Sequence, residues 1–181
     1  LFLMSGAQVE IKRETDLGPP RIEGRRLSFD PANLPDGVTA FVLVGEGETA
    51  RALGFSTEGL GPGGLLVKTD GNVLALLGPS GTSDPAGTRH AVIEFLASLG
   101  VRYLWPGELG RVIPRLPTVS IGPVERRFTP PVRQRHIRSM GMSDRPASGL
   151  AALQFTREDW DEAWARAIRT QSGVAFGTWH R

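Results

Sequence analysis

The chain has 181 residues, 40% hydrophobic and 22% charged, with 21 basic against 19 acidic side chains and no cysteine. That is the length of one domain, or of one domain and part of another, with enough apolar content for a packed core. It excludes a disulfide scaffold, a thiolate nucleophile and a thiolate-ligated zinc site, and because all but two of the basic residues are Arg, the pI of about 9.6 reflects groups that hardly deprotonate and not a large positive excess.

The chain opens on Leu1-Phe2-Leu3-Met4 and closes on Gly177-Thr178-Trp179-His180-Arg181, and reads as a piece of a longer protein. Residues 1–7 read as the last turn of a helix stopped by Gly6. The tail of a signal peptide, ending in the small residues Ser5-Gly6-Ala7, is the alternative, but its charged start is missing. A strand is expected over Gln8–Lys12. Residues 13–37 are polar and carry Pro19, Pro20, Pro31 and Pro35, an excursion with room for a short strand. Ala40–Val44 is a strand-like apolar run, Glu46–Leu53 a short helix at best, and residues 54–63 a Gly-rich loop. Gly64–Thr69 and Asn72–Leu77 form a hairpin joined at Asp70-Gly71, since a tight hairpin turn needs positive φ.

Thr88–Leu99 is the strongest helix in the sequence. Val92, Phe95, Leu96 and Leu99 form its apolar stripe, and Gly100 ends it. Val101–Trp105 is a short strand. From Pro114 to Pro131 the chain is rich in Pro and Arg and reads as a linker along the surface. His136–Met140 reads as a strand. Arg157–Arg169 is helical by the spacing of Trp160, Trp164 and Ile168, with Thr156 as N-cap and Glu158 and Asp159 suited to the positive end of the dipole. No run approaches the ~18 apolar residues of a membrane span.

Gly45-Glu46-Gly47-Glu48-Thr49-Ala50 follows a strand, opens a helix and fits a dinucleotide fingerprint, with Asp70 as the ribose-binding acid. A dinucleotide-binding oxidoreductase domain is therefore one alternative. Against it, the helix is too short for a crossover over a parallel sheet, Asp70 sits in a hairpin turn, and Glu46 and Glu48 put carboxylates where a pyrophosphate would lie. Gly59–Gly64 repeats the pattern but precedes a strand, so no helix N-terminus faces a phosphate there.

His90, His136 and His180 share no metal-ligand spacing and read as surface or core residues. Arg111, Arg115, Arg126, Arg127, Arg133, Arg135 and Arg138 form the most basic stretch. With only Phe128 among them, it reads as a solvated linker and not a nucleic-acid face. Arg135 and Arg138 flank a strand, where either can offer a hydrogen-bond fork to hydroxyls or carboxylates. Glu94 and Glu108 make no pair at the roughly 5–10 Å a glycosidase needs. Trp105 is placed to stack on a sugar ring or to join the core.

One stretch says more as a whole than any motif within it. After the hairpin come Gly78-Pro79 and Gly87-Thr88, then Glu94-Phe95-Leu96, Leu99-Gly100-Val101-Arg102, Trp105-Pro106-Gly107-Glu108-Leu109-Gly110 and Ile113-Pro114. This order resembles the non-catalytic N-terminal domain of alpha-glucuronidases and the second domain of beta-hexosaminidases. It resembles most a bacterial family of uncharacterised proteins that joins such a domain to a glycosidase-like barrel. Phe41–Gly45 and Ser5-Gly6-Ala7 extend the likeness over residues 1–128.

The resemblance implies an α+β domain over residues 1–128, a mixed β-sheet with helices packed on one face. Residues 129–181 would then hold the linker end and the beginning of a (β/α)₈ barrel. Gln134-Arg135-His136-Ile137-Arg138 falls at the first barrel strand, with Arg135 as a sugar-hydroxyl contact and Trp160–Arg169 as the first barrel helix. Gln134 and His136 replace the aromatic and the small residue that usually flank that Arg. A barrel takes some 200 residues or more, so its catalytic carboxylates fall outside this chain. The expected role is a non-catalytic accessory domain of an exported carbohydrate-active protein whose parent hydrolyses glycosides, supporting the barrel and shaping one rim of a glycan site. Substrate binding is expected at Arg135, Arg138 and Trp105, with no catalytic, cofactor or metal residue in the chain. The expected partner is a glycan reached through the barrel, with no nucleic acid and no membrane span. A stand-alone glycan-binding module is a further alternative.

Overall fold

Val73–Leu77 is apolar at every position, the pattern of a strand covered on both faces, and all five of its residues are buried. It lies inside a four-stranded sheet of the computed structural model, which describes residues 1–79, 86–104 and 110–131. The elements in chain order are α1 (Phe2–Ser5), α2 (Glu14–Leu17), β1 (Arg21–Glu23), β2 (Arg26–Ser28), a 3-10 turn at Pro31–Asn33, β3 (Phe41–Val44), α3 (Glu48–Ala52), β4 (Leu65–Asp70), β5 (Val73–Leu77), α4 (Gly87–Ser98), β6 (Arg102–Tyr103), β7 (Arg111–Val112) and β8 (Glu125–Phe128). The described residues thus form an α+β fold with a mixed sheet and few helices.

The sheet runs β3-β5-β4-β8. β3 is parallel to β5, while β4 is antiparallel to both β5 and β8. The hairpin forms as the Asp-Gly signal predicts, one residue later than read. Asp70 pairs with Val73, so Gly71 and Asn72 are the turn. Gly71 has φ 55°, and a Cβ there would collide with the Arg25 carbonyl. Glycine at this position therefore serves both the turn and the close approach of the β1–β2 hairpin.

Side chains alternate between the two faces of a strand. On one face Phe41, Leu43, Leu66, Val73, Ala75 and Leu77 join Leu27, Phe29, Ala50 and Phe55 in a single cluster. The Phe29 ring meets Phe41 edge-on at 5.4 Å, a geometry that adds about 1 kcal/mol to the burial itself. Leu65, Val67, Leu74 and Leu76 turn to the other face and are equally buried. Arg126 is the register partner of Val67 and so belongs to that second face, where it pairs with Glu94 of α4 at 2.6 Å.

The described helices therefore divide between the two faces instead of sharing one. α3 contributes Ala50 to the first cluster, and α4 is tied to the second face. The buried side of α4 also differs from expectation. It is Gly87, His90, Ala91 and Phe95, whereas Val92, Leu96 and Leu99 are only half-buried. A backbone approach explains the rotation. A Cβ on Gly78 would overlap the Gly87 and Thr88 backbone, and one on Gly87 would overlap the Gly64 carbonyl. This contact of strand ends and first helical turn fixes which side of α4 faces inward.

Two further expectations change. Gln8–Lys12 is not a strand, and residues 6–13 are exposed throughout. The Arg/Pro-rich stretch is no simple linker, because Glu125–Phe128 is an edge strand paired with β4. The charged sequence Glu-Arg-Arg-Phe suits an edge, where both faces reach water. Chain contacts divide the molecule into one unit of residues 1–96 and 115–131 and a second that includes 97–114. In the second unit β6 and β7 pair antiparallel, Leu104 N–H donates to the Gly110 carbonyl, and Gly100 packs on Pro114.

Candidate functional site

β3 stands at the edge of the sheet. Its Phe41 and the following Gly45 donate their N–H groups to Asn72 and Leu76 on the β5 side. Backbone groups alternate along a strand, so those of Val42 and Val44 face the open edge. Both side chains are exposed, Val44 to 62%. Beside them lies a cleft of about 400 Å³, walled by residues 8–17 on one side and by β3 and the start of α3 on the other. Phe29, Leu34 and Val38 make its apolar floor.

One polar clasp closes the cleft at the end nearest α3. The Glu14 carboxylate accepts the N–H of Glu48 at 3.2 Å and that of Thr49. These are two of the N–H groups that the first turn of a helix leaves without intrahelical partners. The Thr49 hydroxyl, then the Thr49 and Glu48 N–H groups and the charge of Arg51, hold the Glu14 carboxyl below its ordinary range, against a partial desolvation that pushes it up. Gly47 makes room for the clasp, because a Cβ there would strike the Glu14 carboxylate.

Glu14 therefore fills the position beneath Gly45–Ala50 that a pyrophosphate occupies in a dinucleotide fold. The other parts of the fingerprint are used within the chain as well. Glu46 accepts from Thr57 at 2.5 Å, and Asp70 pairs with Arg25 at 3.4 Å. β4, the strand that follows α3, is separated from β3 by β5 and runs against it, so β3–α3–β4 is not a parallel βαβ unit. Gly59–Gly64 is a loop, as read, with Gly61 N–H donating to Thr129 Oγ1 at 3.2 Å.

The basic stretch is partly absorbed into the fold. Arg126 lies over the Phe128 ring at 5.7 Å besides pairing with Glu94. Arg127 donates to the carbonyls of Ser56, at 2.8 Å, and of Glu58. His90 is a core residue with Nδ1 3.1 Å from the Gly63 carbonyl oxygen. Trp105, Glu108, Arg133, Arg135, Arg138, His136 and His180 lie outside the described residues, as do the strand read at His136–Met140 and the helix read at Arg157–Arg169.

Sequence reasoning missed Glu14, because its partners are 34 and 35 residues away. The residues around it, Lys12-Arg13-Glu14-Thr15-Asp16, are polar and mark no site. Among the described residues no group of His, Cys, Asp and Glu could hold a metal ion, and no helix is long and apolar enough to cross a membrane. The cleft offers an apolar floor, a strand edge without a partner strand among the described residues and an ionised carboxylate already committed to two donors.

Fold and cleft together define, among the described residues, a mixed α+β domain whose four-stranded sheet has β3 and β8 at its two edges. No family model, no curated protein and no solved structure matches the chain.

Proposed function

We propose that the chain is a non-catalytic accessory domain of an exported, carbohydrate-active protein, followed by the first strand and helix of a glycosidase-like (β/α)₈ barrel. The order of hairpin, long helix and short strand carries the resemblance to the accessory domains of alpha-glucuronidases and beta-hexosaminidases. The observation that supports a non-catalytic role most is the use of the carboxylates. Glu14 caps α3, Glu46 holds Thr57, Glu94 holds Arg126, Glu125 holds Lys68 at 3.1 Å and Asp70 holds Arg25. Hydrolysis of a glycoside needs two carboxyls facing one bond, whereas these five are spent one by one on joining elements.

In this reading the domain buttresses the barrel, and Arg135, Arg138 and Trp105 are the residues proposed to reach the glycan. The reaction proposed for the parent, hydrolysis by paired acids, rests on likeness of fold order. The test is hydrolysis of a panel of aryl glycosides. The 181-residue chain is expected to release no aryl alcohol, and clear turnover by it would overturn the accessory role.

A further inference from the structure

Residues 8–12 cross the surface between two fixed ends, exposed throughout and with the Lys12–Glu10 ion pair, at 3.1 Å, formed within the segment itself. At one end Met4 is buried and its carbonyl accepts the Leu116 N–H at 2.9 Å. At the other Glu14 is clasped to α3. In between, Gln8-Val9-Glu10-Ile11-Lys12 alternates polar and apolar residues, and both apolar ones are β-branched, which is the pattern of a half-buried strand. Yet Val9 is 54% and Ile11 93% exposed. A strand pattern left fully in water is a local conflict that the fold has a means of resolving. Across the cleft, β3 presents exposed Val42 and Val44 and an edge that pairs with no other strand among the described residues, and proteins ordinarily cover such an edge.

We propose that residues 8–12 close onto β3 as a fifth strand, parallel to it, with Glu14 as the clasp that sets its register. The direction follows from the clasp. Glu14 is fixed at the start of α3, just past the C-terminal end of β3, so the chain before it extends back along β3 in the same sense. A parallel neighbour needs a crossover of a dozen or more residues, and the stretch from Arg13 to Ala40 supplies it. Closure pairs the outward groups of Val42 and Val44 and covers Val9 or Ile11 against them. The open form leaves the cleft free. The segment is thus a strap that covers or uncovers the edge of β3 that has no neighbouring strand among the described residues.

Amide exchange of the full chain, resolved residue by residue by NMR, tests this. Phe41 and Gly45 amides, bonded toward β5, report on the sheet itself. The strap predicts that Val42 and Val44 amides exchange at least about tenfold more slowly than an unstructured chain. Glu10→Pro and Ile11→Pro each delete one backbone donor of the strap, and at least one is expected to remove that protection while Phe41 and Gly45 stay slow. Glu14→Ala is expected to speed Val42 and Val44 about tenfold. Val42 and Val44 amides exchanging like an unstructured chain in the unmodified protein would overturn the proposal. So would protection that grows with protein concentration, since that would assign the edge to a second copy.

Discussion

Asn72 holds Leu27 as a neighbouring strand would. Its Oδ1 accepts the Leu27 N–H at 2.8 Å and its Nδ2 donates to the Leu27 carbonyl at 2.9 Å, with a further bond from Nδ2 to the Thr39 carbonyl at 2.8 Å. One turn residue thereby fastens β2 and the entry to β3 onto the central hairpin. Leu27 is 1% exposed, so its backbone groups would be left unsatisfied if the amide were removed. Asn72→Ala is expected to cost about 2–3 kcal/mol in urea denaturation.

Glu14 and Gly47 form a second link of this kind. Gly47→Ala drives a methyl group onto the Glu14 carboxylate and is expected to cost about 1 kcal/mol, the usual worth of a helix cap. Gly47→Ser stands at the N-cap of α3, where its hydroxyl can accept a first-turn N–H in place of Glu14, and is expected to cost less than Gly47→Ala. The readout is the urea midpoint at neutral pH.

The same clasp carries a pH dependence. The folded Glu14 carboxyl lies below its ordinary value of 4.5, so its contribution is present above that value and is lost as pH falls through the lower, folded one. For so exposed a group the increment is about 0.5–1 kcal/mol. Glu14→Gln is expected to remove that part of the acid sensitivity. Stability curves of the two proteins from pH 6 down to pH 3 should therefore converge.

Gly78 and Gly87 bring α4 onto the strand ends, with no room for a Cβ at either position. Backbone, unlike a side chain, cannot step aside cheaply. Gly78→Ala is expected to cost about 2–3 kcal/mol and to loosen α4. Glu94→Gln weakens the ion pair with Arg126, a half-exposed partner, and is expected to cost about 1 kcal/mol. Thermal unfolding of the two variants measured side by side checks the contrast.

How much of this was legible in the sequence follows from the range of each interaction. The hairpin is local, and Asp70-Gly71 announces it to within one residue. The helix at Gly87–Ser98 is local too, with regular spacing and Gly100 at its end. Which side it buries is not local. Ala91 and His90 carry a weaker apolar signal than Val92 and Leu96, and contacts between glycines distant in sequence decide the matter. β8 was unreadable for a similar reason, since Glu125-Arg126-Arg127-Phe128 has no alternation and becomes a strand only through β4. The parallel pairing of β3 with β5 escaped notice because β4 intervenes in sequence. Of the candidate site, the turn into a short helix at Gly45–Ala50 is visible in the sequence, but the carboxylate beneath it comes from an excursion that shows no pattern.

The proposed accessory role, support of glycoside hydrolysis without performing it, is open to a direct test. The most direct measurement compares aryl-glycoside hydrolysis by the 181-residue chain with hydrolysis by the product of the full reading frame that contains it. Release of the aryl alcohol by the longer protein and none by the chain alone is the expected result. Turnover by the chain alone, or a longer product inactive on every glycoside of the panel, would contradict it.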